Sequence, residues 1–403
     1  MASNPFRGVD RRLAWLRLIL LISCGVTMLA CRPLWLNSRV FPVLPITPGF
    51  PILPSPWDKC FFAAMLLMLV LAFWFYRAAV KMFLVASLFA FCEDQNRGQP
   101  WFYMYWVMLL LTLWPDPIAL AASRCATSAV YIWSGFQKCS PHFFHGEPAW
   151  FVGPAANWHL PALVVDLLRW AVATAPFVEL GIGLALWSTR LRHAAITAVL
   201  LVHGTALLFL GPLGHNYNLV VWPWNLSMIA LVCVLFAQGK SQPKAGAQAD
   251  PVPRLSQSIA DLRQSRTAAT LVALYSLLPI LSYLGLWDSY FSFALYSENA
   301  ATANIFITQS FADRLSPDIR AFVRPFPRAY DPQFQGPLVL AYNAWCYREL
   351  HVPFIPEPRV YRAMFRYLRA YSRAPGDLRL IIGPRFGPVL FYEDDRLRVL
   401  TPK

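Results

Sequence analysis

The chain has 403 residues, of which 57% are hydrophobic and only 14% are charged. A soluble globular protein carries about 25% charged residues, so this composition excludes an ordinary soluble enzyme and predicts a membrane protein. Lys and Arg outnumber Asp and Glu by 35 to 21, which gives a formal net charge of +14. Because cytoplasmic loops of membrane proteins are rich in Lys and Arg, we attribute this charge to membrane topology and predict no nucleic-acid partner.

The N-terminal region combines basic residues with a first apolar run. Basic residues from Arg7 to Arg17 precede apolar sequence that continues to Ala30. No small-residue cleavage site follows, so we interpret this run as a retained span and not as a signal peptide. The next segment, from Arg32 to Asp58, contains seven prolines. Proline fixes φ and removes a backbone donor, so we expect an ordered cap over the membrane face, without helix or sheet.

Eight further apolar runs follow, at 60–76, 80–92, 101–115, 117–137, 161–187, 193–211, 217–237 and 268–286. A helix needs about 20 apolar residues to cross the hydrocarbon core. With the first run, the sequence therefore predicts about nine transmembrane helices in an all-α polytopic bundle. The runs at 80–92 and 101–115 are short for a full crossing, and we expect them to be tilted, extended at their ends or re-entrant.

The distribution of basic residues gives the expected orientation. With the N-terminus in the cytoplasm, thirteen basic residues fall on inner segments and five on outer ones, which is the bias expected of a multi-pass cell-membrane protein. An odd number of spans then puts the C-terminus outside. The predicted organisation is a bundle over 1–237, a polar cytoplasmic linker over 238–267, a last span at 268–286 and an extracytoplasmic domain over 287–403.

The composition changes at about Trp287, after which no run is long enough to span a membrane. Strand-like content is concentrated in a few short segments, one segment is helical in pattern, and prolines punctuate the remainder. The strand-like segments are Asn304–Thr308, Leu338–Ala341, Leu378–Ile382 and Val389–Tyr392, and the helical one is Arg359–Tyr371. We therefore predict a small α+β domain on the outer face.

A cluster of polar residues ends the run at 117–137. An apolar helix carries Tyr131, Ser134 and Gln137 and ends at Lys138. Lysine at this position has two interpretations. It can complement the helix dipole and extend to the lipid headgroups. It can also be a partly desolvated amine that serves as a general base, because burial favours the neutral form of lysine.

A second cluster lies between two apolar runs, at residues 91–105. Asp94 and Arg97 are followed by Trp101, Tyr103 and Tyr105. One interpretation is a solvated loop with an interfacial aromatic anchor. In the other, Asp94 pairs with Arg97, Arg124 or Lys138 and organises a polar pocket.

Ionisable residues inside apolar runs form the third group of candidates, because such residues are costly in a bilayer. His203 lies in the middle of a run and either bonds a neighbouring helix or serves as an acid, base or pocket donor. Glu179 must face the bundle interior or a partner. The histidines lack metal-ligand spacing, so we predict no metal site. A disulfide remains open among the cysteines near the outer ends of the predicted spans, Cys31, Cys60, Cys92 and Cys139.

Two segments carry a resemblance to a known family. Residues 131–144, with the sequence YIWSGFQKCSPHFF, resemble a signature of the vitamin K-dependent gamma-carboxylase and horizontally transferred transmembrane (HTTM) domain family. In that signature a lysine ends a helix and a polar turn follows. Asp94 with the later Tyr103 and Tyr105 is similar to the loop of that family, although Trp101 stands where the carboxylases have a histidine.

The resemblance implies an enzyme in which Lys138 is the catalytic base. In that family the amine deprotonates a reduced quinone, vitamin K hydroquinone, oxygenation yields a stronger base, and CO₂ adds to a glutamate of a protein substrate. A peptide or protein substrate is then expected at the outer face. The pocket residues implied for this chain are Asp94, Arg97, Tyr103, Tyr105, Tyr131, Gln137 and His203.

Two non-enzymatic alternatives stay open. The outer domain and Trp101 in place of histidine are consistent with a membrane maturation, export or immunity partner that binds a peptide or protein. A transporter is the other alternative, but the sequence shows neither an inverted repeat nor paired broken helices.

Overall fold

The computed structural model describes residues 9–216, 218–237, 254–297, 299–326, 338–383, 385, 389–393 and 396–400. The chain is mostly helical, with one antiparallel sheet near the C-terminus. The α-helices of these residues are α1 Arg11–Ala30, α2 Arg32–Trp35, α3 Trp57–Leu71, α4 Tyr76–Glu93, α5 Pro100–Leu111, α6 Asp116–Lys138, α7 Pro141–Val152, α8 Ala162–Ala173, α9 Ala175–Ala185, α10 Arg192–Leu210, α11 Val221–Phe236, α12 Leu255–Arg263, α13 Arg266–Leu277, α14 Gln309–Ala312, α15 Pro317–Arg320, α16 Tyr342–Leu350 and α17 Pro358–Arg369.

The prediction of about nine spans is wrong for the part of the chain described. Three helices there are long and apolar enough to cross a membrane: α1, α10, and α13 with its 3₁₀ continuation, which together cover Arg266–Leu284. The helices α5, α9 and α11 are apolar but shorter. Many large apolar side chains on these helices remain exposed, among them Leu184, Leu201 and Leu277. Apolar surface of this extent is typical of contact with lipid or with another protein.

Two causes explain the difference from nine spans. Some apolar runs are interrupted: the run at 161–187 forms two short helices that meet at Thr174, because Pro176 occupies the first turn of α9 and cannot continue a helix. Other helices carry too many polar groups. The helix α4 includes Arg77, Lys81 and Glu93 within its 18 residues. Counting apolar runs takes neither the helix break nor the charged residues into account.

The proline-rich segment, here called the cap, is ordered and mostly irregular, as the sequence predicts, except that Arg32–Trp35 forms one helical turn. The guanidinium of Arg39 holds the segment together by donating to the backbone oxygens of Pro33, Leu34, Leu36 and Phe41. This satisfies carbonyl groups that regular structure leaves without a donor. All eight cysteines of the chain are free, so none of the disulfides considered above forms.

The predicted linker at 238–267 has one described portion, which contains α12, and its residues 238–253 lie outside the described residues. The buried side chains of α12 are Ser258 and Leu262. This helix packs against α6. The C-terminal part of the linker is therefore a docked helix.

The sheet after Trp287 agrees with the predicted α+β domain. Its strands are β1 Thr302–Ile307, β2 Val323–Pro325, β3 Leu338–Leu340, β4 Leu378–Gly383, β5 Val389–Glu393 and β6 Arg396–Leu400. They are arranged in the order β2-β3-β1-β4-β5-β6, with every pair antiparallel. In β4, buried Leu378, Leu380 and Ile382 alternate with less buried residues, and α17 packs on this strand. The alternation is that of a strand with one covered face.

The C-terminal domain is docked on the cap and on the loop before α5. The Trp345 ring packs on the Phe41 ring of the cap, with centroids 4.7 Å apart. The side-chain amide of Gln99 donates to the Pro353 carbonyl at 2.9 Å. Both Trp345 and Gln99 are buried. The domain therefore forms one wall of the interior space described next.

Candidate functional site

A cavity of about 560 Å³ lies among α6, α8, α9, α10 and α11, with the segment before β1 at one end. Its volume is in the range of small-molecule sites, which are mostly apolar with a few placed polar groups. The lining follows that pattern. Its apolar residues include Val130, Phe143, Phe151, Leu168, Val172, Val178, Leu201, Met228, Phe293 and Leu295, and its polar ones include Tyr131, Ser134, Lys138, Glu147, Glu179, His203 and Asn225.

Close packing of α6 against α9 brings the first pair of polar residues together. A Cβ atom added at Gly135 would lie 2.6 Å from the Pro176 carbonyl oxygen, and one at Gly183 would lie 2.5 Å from an Ile132 side-chain carbon. Only glycine allows the two helices to approach so closely at these positions. The Ser128 hydroxyl donates to the Gly183 carbonyl across the same contact. The glycines therefore fix the spacing between the facing side chains of α6 and α9.

Lys138 and Glu179 form a buried ion pair on the cavity wall. The Lys138 Nζ lies 2.8 Å from Glu179 Oε2 and 2.6 Å from the Ser134 hydroxyl oxygen. It also donates to the Ser134 carbonyl oxygen at 3.4 Å. These three acceptors match the three N–H donors of an ammonium group. Lys138 is only 8% exposed, so the side chain turns into the bundle and does not reach out to solvent.

A second set of polar groups joins α6, α10 and α11. The Tyr131 hydroxyl lies 2.7 Å from His203 Nε2, and His203 Nδ1 lies 2.6 Å from Asn225 Oδ1. The Asn225 amide nitrogen donates to the Val221 carbonyl at 2.7 Å. That bond orients the Asn225 oxygen toward the imidazole, so Nδ1 carries the proton and Nε2 accepts from Tyr131. His203 is therefore held in a single tautomer.

Helical periodicity explains why both sets face one cavity. Tyr131, Ser134 and Lys138 occur at i, i+3 and i+7 of α6, which places them on one face. His203 and Glu179 come from α10 and α9, which pack against each other and enclose that face. The arrangement can bind a mostly apolar molecule and exchange protons with a polar group on it at two positions.

Asp94 and Arg97 do not line the cavity. Asp94 pairs with Arg39 of the cap. The predicted ion pair of Asp94 with Arg97, Arg124 or Lys138 is therefore wrong. Arg97 pairs with Glu93 at 2.5 Å. Asp94 and Arg97 are almost completely buried, so the solvated-loop interpretation is also wrong. Buried charges of this kind need partners, and here the pairs join the cap to the loop.

The remaining predicted residues also lie away from the cavity lining. Tyr103 stacks on Phe291, with ring centroids 4.6 Å apart. The Tyr105 hydroxyl bonds Ser227 at 2.6 Å. The Gln137 amide donates to the Ser282 hydroxyl at 3.1 Å. Of the eight predicted site residues, the lining therefore brings together Lys138, Tyr131 and His203.

Glu179, Asn225 and Trp101 line the cavity but were absent from the predicted set of site residues. Glu179 had a signal, a carboxylate in an apolar run, but the sequence did not pair it with Lys138. Asn225 had only a weak signal, an amide soon after Pro223. Trp101 also lines the cavity. No sequence motif gives the contact between α9 and α6 that brings Glu179 to Lys138.

No protein-family model, no curated protein and no solved structure matches this chain. The functional conclusion therefore depends on the geometry of the cavity. In the described residues, no group of three or more His, Cys, Asp and Glu side chains is arranged to hold a metal ion. The chemistry available there is that of an amine, a carboxylate, a phenol and an imidazole around an apolar space.

Proposed function

We propose that this chain is a multi-pass membrane protein, similar to the HTTM and gamma-carboxylase-like proteins, that binds a quinol-like lipophile in the cavity and removes a proton from it. The observation that carries the proposal is the buried pair of Lys138 and Glu179 on the wall of a mostly apolar cavity. Ionisable residues in such surroundings are costly, which makes them candidates for function. The bias of basic residues supports a cytoplasmic N-terminus and an extracytoplasmic domain after Trp287.

The residues of the cavity fit a reduced quinone of the vitamin K hydroquinone type. The apolar lining suits an aromatic ring, and the polar groups of α6, α9 and α10 suit its hydroxyl groups. When bound, a reduced quinone would supply acidic hydroxyl groups and the electrons for a reaction with oxygen.

Lys138 can act as a base only after it has lost a proton, and Glu179 is placed to take it. Transfer from Lys138 Nζ to Glu179 Oε2, 2.8 Å away, gives a neutral amine and a neutral carboxylic acid. The amine then accepts a hydroxyl proton from the bound molecule and becomes an ammonium again. Its positive charge faces the negative oxygen left behind and stabilises it in a site with little water. At the end Lys138 is an ammonium, Glu179 is a neutral carboxylic acid and the bound molecule carries one negative charge. The total charge and the number of protons are therefore unchanged.

Turnover provides the experiment. Purified protein in lipid nanodiscs is supplied with a reduced naphthoquinone, and oxygen uptake is recorded together with incorporation of labelled CO₂ into a glutamate-containing peptide. We expect one of these activities in the wild type and its loss in Lys138→Ala. The control is Lys59→Ala, which changes an exposed lysine outside the cavity. Equal rates in the wild type and in Lys138→Ala would show that Lys138 is not the base.

The alternative is a non-enzymatic maturation, export or immunity partner that binds a peptide or protein through the domain after Trp287. The C-terminal domain forms part of the cavity wall, through residues such as Pro353, so it could report occupancy of the cavity to a partner. Saturable quinol binding with no turnover would favour this alternative.

A further inference from the structure

A second cavity, of about 190 Å³, lies between the segment before β1 and the helices α16 and α17. It shares four lining residues with the cavity of Lys138, namely Glu147, Leu295, Tyr296 and Pro353. The two spaces are therefore neighbours, one inside the helical bundle and one at the C-terminal domain. The proposed function does not use the second cavity.

Aromatic side chains make up six of the fourteen described residues that line this second cavity. Its lining includes five tyrosines and one phenylalanine: Tyr290, Tyr296, Tyr342, Tyr347, Tyr361 and Phe354. Three of these rings form a fixed cluster. The Tyr342 centroid lies 5.0 Å from that of Phe354 and 5.5 Å from that of Tyr361, and the Phe354 and Tyr361 rings stack 5.5 Å apart. The aromatic wall is preorganised, so a ligand need not order it.

Two of the tyrosines have their hydroxyl protons already engaged. Tyr342 donates to the Ala303 carbonyl at 3.1 Å, and Tyr361 donates to the Ala301 carbonyl at 2.9 Å. Their hydroxyl groups are tied to the backbone before β1 and at its start. What these residues offer a ligand is the π-system of the ring, which is negative at its face.

The charge of the lining points in the same direction. The chain has 35 Lys and Arg residues, yet none of the described lining residues of this cavity is Lys, Arg or His. Glu147 supplies a carboxylate. Aromatic faces together with a carboxylate attract positively charged groups and disfavour anions.

We propose that the second cavity binds an organic cation, an ammonium or guanidinium group, next to the cavity of Lys138. A space of about 190 Å³ suits the charged end of a molecule and not a whole cofactor. The cation belongs either to a small free amine or to a Lys or Arg side chain of a peptide. This proposal stands whether or not a quinol occupies the first cavity.

The experiment uses the full chain in nanodiscs and isothermal titration calorimetry with three probes. These are the N-acetyl, N-methylamide derivative of lysine, its neutral norleucine counterpart, and tetramethylammonium. We expect the lysine derivative to bind about tenfold more tightly than the norleucine one. Tetramethylammonium binding as tightly as the lysine derivative indicates a free amine, and binding of the lysine derivative alone indicates a peptide side chain. Equal affinity for the lysine and norleucine derivatives, or no saturable binding, would overturn the proposal.

Variants then locate the site. Tyr342→Leu removes a ring and should weaken binding of the lysine derivative roughly fivefold to tenfold. Tyr342→Phe keeps the ring and should bind within about twofold of wild type. The control is Tyr371→Leu in the same domain, since Tyr371 does not line this cavity. If Tyr342→Leu fails to fold, Glu147→Gln tests the same point by removing the negative charge, and unchanged affinity in that variant would contradict the proposal.

Discussion

Lys138 Nζ lies 2.8 Å from Glu179 Oε2, although the two residues are 41 positions apart in the chain. Each side chain is only 10% exposed, so neither charge has enough water around it to be stable alone. Each charge can be buried only because the opposite charge of the other residue lies beside it. This pair distinguishes the cavity from a simple apolar gap between helices.

A double-mutant cycle on this pair should show strong coupling. Lys138→Met and Glu179→Leu each leave one buried charge without its partner, and we expect each to lower the free energy of unfolding by about 3–5 kcal/mol. The double variant leaves no charge and should lose less than either single variant. Chemical denaturation in detergent, followed by tryptophan fluorescence, measures all four proteins. Losses that simply add would contradict a direct pair.

Gly135 should tolerate no side chain, because its neighbour is the backbone of α9. Gly135→Ala puts a Cβ atom 2.6 Å from the Pro176 carbonyl oxygen, and we expect a loss of about 1–3 kcal/mol as the helices move apart. Gly181→Ala is a matched control in α9, since a Cβ there meets nothing within 4 Å. It should gain up to about 1 kcal/mol from helix propensity. Thermal unfolding of both variants tests this, and similar melting temperatures would refute the close contact.

The sequence predicted four of the six described strands of the C-terminal sheet, because strand patterning is local. The segments Leu338–Ala341, Leu378–Ile382 and Val389–Tyr392 each match an observed strand within a residue or two. The spans were overcounted because apolar content alone does not reveal where a helix ends. The break at Thr174 follows from Pro176, which was counted as part of one continuous apolar run.

Local pattern also identified Lys138, Tyr131 and His203 but not their partners. Which helix faces which is decided by packing between distant segments, and in this bundle glycines on α6 and α9 decide it. Asp94 shows the opposite error, because the local pattern placed it in the pocket and it does not line the cavity. Its partner Arg39 comes from a proline-rich segment that gives no periodic signal.

Asn225 should control the tautomer of His203. In the wild type, the geometry puts the proton on Nδ1 and leaves Nε2 to accept from Tyr131. Asn225→Leu removes the acceptor at Nδ1, and we expect the Nε2–H form to appear, with His203 donating to the tyrosine oxygen. Nitrogen chemical shifts of ¹⁵N-labelled histidine measure the two forms, with His203→Gln to assign the signal. The Nε2–H form in the wild type would contradict the assignment.

The burial of Glu357 near Asp288 should make stability depend on pH. Burial and the nearby charge of Asp288 together raise the pKa of Glu357 from its usual 4.5 to about 7, against the lowering effects of the Ser289 hydrogen bonds and of Arg359. Between these two values the folded chain keeps a proton that the unfolded chain has lost. The free energy of unfolding should therefore fall as the pH rises from about 4.5 to 7, by roughly 2–3 kcal/mol.

Glu357→Gln isolates this effect. The amide oxygen can still accept from the Ser289 backbone N–H and hydroxyl, which both lie 2.6 Å from Glu357 Oε1, but it has no proton to lose in this range. Denaturant titrations at pH 5 and pH 7.5 should show a smaller difference in the variant than in the wild type. An identical pH dependence would exclude Glu357 as its source.

The most direct test of the central claim is whether the cavity recognises a hydroxyl group through Lys138. Affinity is measured by tryptophan quenching, under argon, for a reduced naphthoquinone and for its dimethyl ether, which has the same ring but no O–H. The wild type should prefer the hydroxyl form by at least about tenfold, as expected for a hydrogen bond to a charged group. Lys138→Met should lose most of this preference. Equal affinities in the wild type, or an unchanged preference in Lys138→Met, would contradict the account.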